Sequence, residues 1–174
     1  MDLMEKIKKE LRGFLPEFVY GSIDGTVTTF AIIAGIAGAE LDSSIVLILG
    51  FSNVLADGFS MASSNYLSEE SHMAQVGGDH GNSWKMAIAT FVSFITVGSI
   101  PLLSYLVSYL SPGSIDNEFY TASILTFVTF FFIGLVRGRV AKTSLTKAAF
   151  QTCFIGVVAA LVAYGVGSWL KGLV

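Results

Sequence analysis

Cysteine is almost absent from this sequence. Cys153 stands alone among 174 residues, which excludes an intrachain disulfide and a cysteine metal cluster and leaves packing as its role. Charge is scarce as well: Asp, Glu, Lys and Arg make up 13% of the chain, about half of the roughly 25% usual in soluble domains. Hydrophobic residues reach 53% and the mean hydropathy is +0.69, so the chain reads as an integral membrane protein. The formal net charge of -3 is spread over loops and spans and gives no basic surface for nucleic acid. No small-residue cleavage site follows the first apolar run, so that run is expected to stay in the mature protein.

Long apolar runs are what the sequence has in abundance. Segments of about 20 mainly apolar residues are long enough to cross a bilayer as helices, and five are present: Phe18 to Ala39, Ser44 to Tyr66, Trp84 to Leu110, Phe119 to Val136 and Ala148 to Leu170. The third exceeds what a bilayer needs, and Pro101 shortly after Gly98 predicts a kink in it. Almost nothing is left for a separate soluble domain. The expected fold is all-α: one polytopic domain over residues 1–174 with five transmembrane helices.

Lys and Arg set the expected orientation, because cytoplasmic loops hold the excess of positive charge. Lys6, Lys8, Lys9 and Arg12 precede span one, Lys85 ends the second connection, and Arg137, Arg139, Lys142 and Lys147 fill the fourth. These segments share a side, so the N-terminus is expected in the cytosol and the C-terminus opposite. Residues 1–15 read as a cytoplasmic amphipathic segment, with Leu3, Met4, Ile7 and Leu11 on one stripe suited to the membrane surface. Residues 67–83 read as a short cytoplasmic loop. It carries Glu69, Glu70, His72, Asp79 and His80, but Gly77, Gly78 and Gly81 predict flexibility, and a solvated loop is the expectation.

Asp24 and Asp57 lie inside two apolar spans, where a carboxylate is costly and marks an ion or proton path. The connection between these spans is so short that they must be antiparallel neighbours. At a rise of about 1.5 Å per residue, Asp24 sits roughly 9 Å past the inner end of span one, and Met61 is expected at the same level on span two. Asn53, Asp57 and Met61 follow at i, i+4 and i+8 on one helical face, with Glu17 near the cytoplasmic mouth. Amide and carboxylate oxygens suit hard divalent ions, and the added thioether favours Fe²⁺ and similar transition metals. Two buried carboxylates also offset a divalent charge and take up protons when the metal leaves.

The segments Tyr20-Gly-Ser-Ile-Asp-Gly-Thr-Val-Thr-Thr-Phe-Ala, Gly35-Ile-Ala-Gly-Ala, and Ala56-Asp-Gly-Phe-Ser-Met-Ala followed by Tyr66-Leu-Ser resemble the vacuolar iron transporter family in order and spacing. The resemblance implies a five-helix protomer in a homodimer, with the metal path at the two-fold axis. It implies export of Fe²⁺, and often Mn²⁺, from the cytosol in exchange for protons, the metals being transported substrates and no cofactor being required. Asp24 falls on the family's span-one pathway aspartate, Met61 on its span-two methionine, and Glu17 on an acidic position near the mouth. Asn53 stands where plant-type members have a carboxylate, and Asp57 fits the Ala-Asp-Gly pattern of other branches. Gly25, Gly35 and Gly38 would permit close helix approach along the seam. Residues 67–83 leave no room for the Glu-rich cytoplasmic domain that many members insert there.

The expected partners are divalent metal ions, protons, membrane lipid and a second copy of the chain. An aspartyl-protease reading requires the two aspartates to share a proton, and their flanks do not resemble protease motifs; the expectation is no enzyme. A metal sensor or scaffold, and a passive cation channel, are the alternatives to a carrier. The compact chain suits a prokaryotic cell membrane more readily than a vacuolar one.

Overall fold

Without water to accept and donate hydrogen bonds, an apolar segment must satisfy its own backbone, and a helix does so within one stretch of chain. The computed structural model describes residues 3–77 and 83–173, and the regular elements among them are all helical. They are α1 (Leu3–Gly38), α2 (Ser43–Val76), α3 (Ser83–Gly98), α4 (Leu103–Leu110), α5 (Glu118–Val140) and α6 (Leu145–Lys171), with a 3-10 turn at Ile100–Leu102 between α3 and α4. Five stretches are long and apolar enough to cross a membrane: Gly13–Gly38, Ser43–Val76, Ser83–Leu110, Glu118–Val140 and Leu145–Lys171. The protein is therefore a multi-pass membrane protein. The kink expected in the third span is the 3-10 turn, with Pro101 inside it.

Two sharp reversals fix the order of packing. At the end of α1, Glu40 adopts a left-handed φ of 53°, the Leu41 amide donates to the Ile36 carbonyl at 3.1 Å, and the Glu40 amide donates to Ala37 at 3.1 Å. This is the Schellman pattern, which satisfies the last carbonyls of a helix. Asp42 then caps α2 by accepting from the Ser44 amide at 2.8 Å. Hydrogen bonds from the Ser44 hydroxyl and amide hold the Asp42 carboxyl below its ordinary range. The cap is thus complete above that range and fades as pH falls through the lowered value. The α5–α6 reversal repeats the device, with Lys142 at φ 52° and the Thr143 amide on the Gly138 carbonyl at 2.9 Å.

Helix α1 is the hub. In its most apolar window 56% of residues are buried, against 11% for α6. A Cβ on Gly25 would lie 2.7 Å from the Phe94 carbonyl oxygen of α3, and one on Gly98 would lie 2.9 Å from the Gly25 backbone. The two backbones touch, which small residues alone permit. Toward the other end of α1, Gly38 packs on the backbone of Tyr164 and Gly167 packs on Gly35, both against α6. Gly25, Gly35 and Gly38 therefore do not serve the α1–α2 seam as the sequence suggested. They face α3 and α6, because a central helix must meet several neighbours and its closest contacts fall where both partners are small. The kink has a packing role too: Leu102 in the 3-10 turn is fully buried and lies against Gly50 of α2, in a core with Phe30, Ile33, Val46, Val54 and Tyr105.

The connection expected over residues 67–83 differs in form. Helix α2 continues through Val76 and ends on Gly77 at φ 66°, so Glu69, Glu70 and His72 are helical. The reason is local: Ser68 to Val76 contains no Gly or Pro, and Glu, Met, Ala and Gln are adequate helix formers. Asp79 and His80 lie outside the described residues, as do the side chains of the amphipathic stripe at Leu3, Met4, Ile7 and Leu11. The backbone of that stretch belongs to α1, continuous with the first span.

Replacing Gly25 by Val forces two methyl groups into the α3 backbone and should cost ~1–3 kcal/mol or more. Gly165 has open space around it, so Gly165→Ala should hold or raise stability by up to about 1 kcal/mol. Thermal unfolding of the purified protein in detergent checks both, and equal midpoints for the two variants would refute the assignment of Gly25 to a tight contact.

Candidate functional site

The tight reversal between α1 and α2 dictates which residues meet across the seam. Gly25 lies on Phe94 from one side, and Gly58 approaches the same ring from α2, with its would-be Cβ 3.2 Å from Phe94 Cδ1. That shared neighbour puts Asp24 and Asp57 at one level, half-buried and close enough for their charges to interact. No hydrogen bond from a described residue reaches either carboxylate. The sequence reading placed Asp24 level with Met61; the charge neighbour of Asp24 on α2 is Asp57, one turn from Met61 on that helix.

One turn nearer the end of the bundle that carries Lys85, Arg137 and Arg139, the seam opens into a cleft of about 360 Å³. Its walls are Glu17 and Tyr20 from α1, Met61, Ser64, Asn65, Ser68 and Glu69 from α2, and Met86 from α3. Glu17 and Met61, which the sequence reading did not pair, line the same cleft. Asp24, Asp57 and Asn53 do not line the cleft; Asp57 lies one turn from Met61 on α2, and Asn53 one turn farther. Glu17 Oε2 is sealed from solvent and has no hydrogen-bond partner among the described residues. A carboxylate oxygen in that state is costly unless a ligand satisfies it.

Sequence reasoning missed Tyr20, Ser64, Asn65, Ser68, Glu69 and Met86 as members of this site. A signal was present for α2: the i, i+4 run Asn53, Asp57, Met61 continues through Asn65 to Glu69 on the same face. Ending the span at Tyr66 cut Glu69 from that run. For Met86 there was no such signal, because only the packing of α3 behind α1 and α2 brings it to the cleft.

The donor set is mixed rather than dense. Among the described residues no three His, Cys, Asp or Glu side chains gather as a metal site. Carboxylates come in pairs, Asp24 with Asp57 and Glu17 with Glu69, supplemented by thioether, amide and hydroxyl groups. A protomer so arranged can offer a passing divalent cation partial coordination and charge balance at successive levels.

The fold and seam define a helical membrane protein with an acidic track between its first two spans. The sequence of the VIT family matches residues 15–76 and 69–168, and the chain belongs to that family. Relatives include a "Vacuolar iron transporter" of Toxoplasma gondii, 25% identical over 225 positions covering 91% of this chain and 74% of the relative. "Vacuolar iron transporter 1" of Arabidopsis thaliana is 25% identical over 210 positions, covering 85% of this chain and 82% of the relative. "Vacuolar iron transporter homolog 4" of the same plant is 26% identical over 161 positions, covering 84% and 79%. The first two alignments have more positions than this chain has residues, so those relatives contain segments absent here. The two matched stretches overlap at residues 69–76, the last turns of α2. These relatives are eukaryotic and lend nothing to the expected prokaryotic cell membrane.

If the cleft admits water, Asn65→Cys in a Cys153→Ala background should react readily with a water-soluble maleimide. Thr126→Cys, at a buried position of α5, should stay unlabelled. Protection of residue 65 in folded protein would show the cleft to be closed.

Proposed function

We propose that this chain carries a divalent transition metal, Fe²⁺ before Mn²⁺, out of the cytosol in exchange for protons. The observation that carries the reading is the Asp24–Asp57 pair, two half-buried carboxylates within otherwise apolar spans and close enough for their charges to interact. Family membership and the names of the relatives support a metal as cargo. Paired carboxylates balance the two charges of the cation, and protons restore neutrality when it departs. Met61, at the floor of the cleft, supplies the soft donor that favours Fe²⁺ over harder ions.

The Lys and Arg distribution supports a cytosolic cleft and N-terminus, and on this reading the cleft is where metal enters. Asp24 and Asp57 remain half-exposed in a single protomer, and carboxylates at this depth do not face lipid. A second copy covering the seam removes that exposure and doubles the donor set, which supports a homodimer with the path on its axis. The protein on this reading is a carrier rather than an enzyme, a compact transporter domain in a cell or vacuolar membrane.

Fe²⁺ and Mn²⁺ uptake into proteoliposomes, with and without an imposed proton gradient, tests the proposal. Asp24→Asn should abolish gradient-dependent flux while leaving the helical fold intact, and full transport by that variant would remove the residue from the path. Met61→Ala should weaken Fe²⁺ transport more than Mn²⁺ transport; equal losses would deny it a part in selectivity. Flux indifferent to the gradient would identify a channel, and intact protein moving neither metal would identify a sensor or scaffold.

A further inference from the structure

The end of the bundle opposite Lys85, Arg137 and Arg139 carries a second polar cleft, of about 480 Å³, between the α1–α2 reversal and the α4–α5 connection. Glu40, Asp116 and Glu118 line it, and so does Tyr105 of α4, whose side chain is 5% exposed. Glu40 is taken by Lys171, one oxygen of Glu118 accepts from the Ser108 hydroxyl, and the Asn117 side chain caps α5 on the Tyr120 amide. Asp116, the second Glu118 oxygen and the Tyr105 hydroxyl have no hydrogen-bond partner among the described residues. A buried phenol normally finds one, and this one lies near enough to Glu118 to feel its charge.

We propose that Tyr105, Asp116 and Glu118 form a binding site for a hard divalent cation of the Ca²⁺ or Mn²⁺ type, at the end of the bundle remote from the first cleft. The donors lining this cleft are oxygen atoms and amide groups, with no thioether, thiol or imidazole among them; such a set suits hard ions. The first cleft, by contrast, is lined by Met61 and Met86. Two carboxylates balance the charge of one divalent cation, and the ion or one of its waters gives the phenol the partner it lacks. Asp116 and Glu118 come from the start of α5, Tyr105 from α4, and Ser43 on the opposite wall from the start of α2. A bound ion would therefore hold the α4–α5 connection against the α1–α2 reversal.

This site does not depend on the transport reading, so the test measures binding by the purified full chain in detergent. The probe is Tb³⁺, a hard oxygen-seeking ion whose emission a nearby phenol sensitises, displaced afterwards by Ca²⁺ or Mn²⁺. Glu17→Gln with Tyr20→Phe removes the first cleft as a source of signal, and in that background sensitised emission should persist. Asp116→Asn and Glu118→Gln should each weaken Tb³⁺ binding by about tenfold or more, and the near-isosteric Tyr105→Phe should remove most of the emission. Ca²⁺ should raise the thermal midpoint of the background protein and not that of its Glu118→Gln derivative. Circular dichroism and gel filtration on each variant separate a lost site from a lost fold. Absence of sensitised emission in the background protein would overturn the proposal, as would unchanged affinity in both Asp116→Asn and Glu118→Gln, or failure of both Ca²⁺ and Mn²⁺ to displace the probe. Binding retained by a protein that transports neither metal would count against the carrier reading alone.

Discussion

Backbone contact between α1 and α3 is the constraint from which the rest of the bundle follows. In lipid the hydrophobic effect gives helices little reason to associate, and close van der Waals approach must do it instead. Gly25 against Phe94 and Gly98 against Gly25 provide that approach. Once α1 is seated on α3, its ends are held elsewhere: Gly38 lies on Tyr164, and Glu40 pairs with Lys171 at the far end of α6. Four neighbours then surround α1. The face bearing Glu17, Tyr20 and Asp24 is the one turned to α2, where the cleft forms.

Hydroxyl groups show by contrast why the carboxylates matter. Most buried Ser and Thr side chains bond back to a carbonyl of their own helix: Thr26 to Ser22 at 2.7 Å, Thr126 to Ala122 at 2.7 Å, Thr152 to Ala148 at 3.0 Å. Such local bonds hide polarity from lipid and ask nothing of a neighbour. A carboxylate has no hydrogen to donate in this way when ionised. Asp24 and Asp57 therefore depend on something outside their own helices, whether the opposite carboxylate through a proton, a cation, or a second protomer.

The five spans and the kink at Pro101 were legible in the sequence, because each is a local property. Hydropathy reads apolar length, and a Pro two to three residues after a Gly breaks a helix wherever it lies. Register was less accessible. Helix α2 runs past Tyr66 through residues that are polar yet helix-forming, and hydropathy is blind to a helix that leaves the membrane without stopping. That oversight hid Glu69 in a supposed loop. The partners of Gly25 and Gly38 were illegible for a different reason. A small residue announces that something comes close, but which helix comes close is decided by the whole packing arrangement.

Donor spacing along the seam now takes on meaning. On α2 the polar face repeats every turn, at Asn53, Asp57, Met61, Asn65 and Glu69, so successive donors rise by about 5–6 Å. On α1 the opposing series is Glu17, Tyr20 and Asp24, with the Thr28 hydroxyl already engaged by the Asp24 carbonyl at 2.9 Å. Carboxylates therefore occur at the mouth and at the level of Asp24, and a thioether lies between them. On the transport reading proposed above, a cation balanced by carboxylates at one level would reach the next past a neutral, polarisable donor, and among the described residues neither level gathers three His, Cys, Asp or Glu side chains.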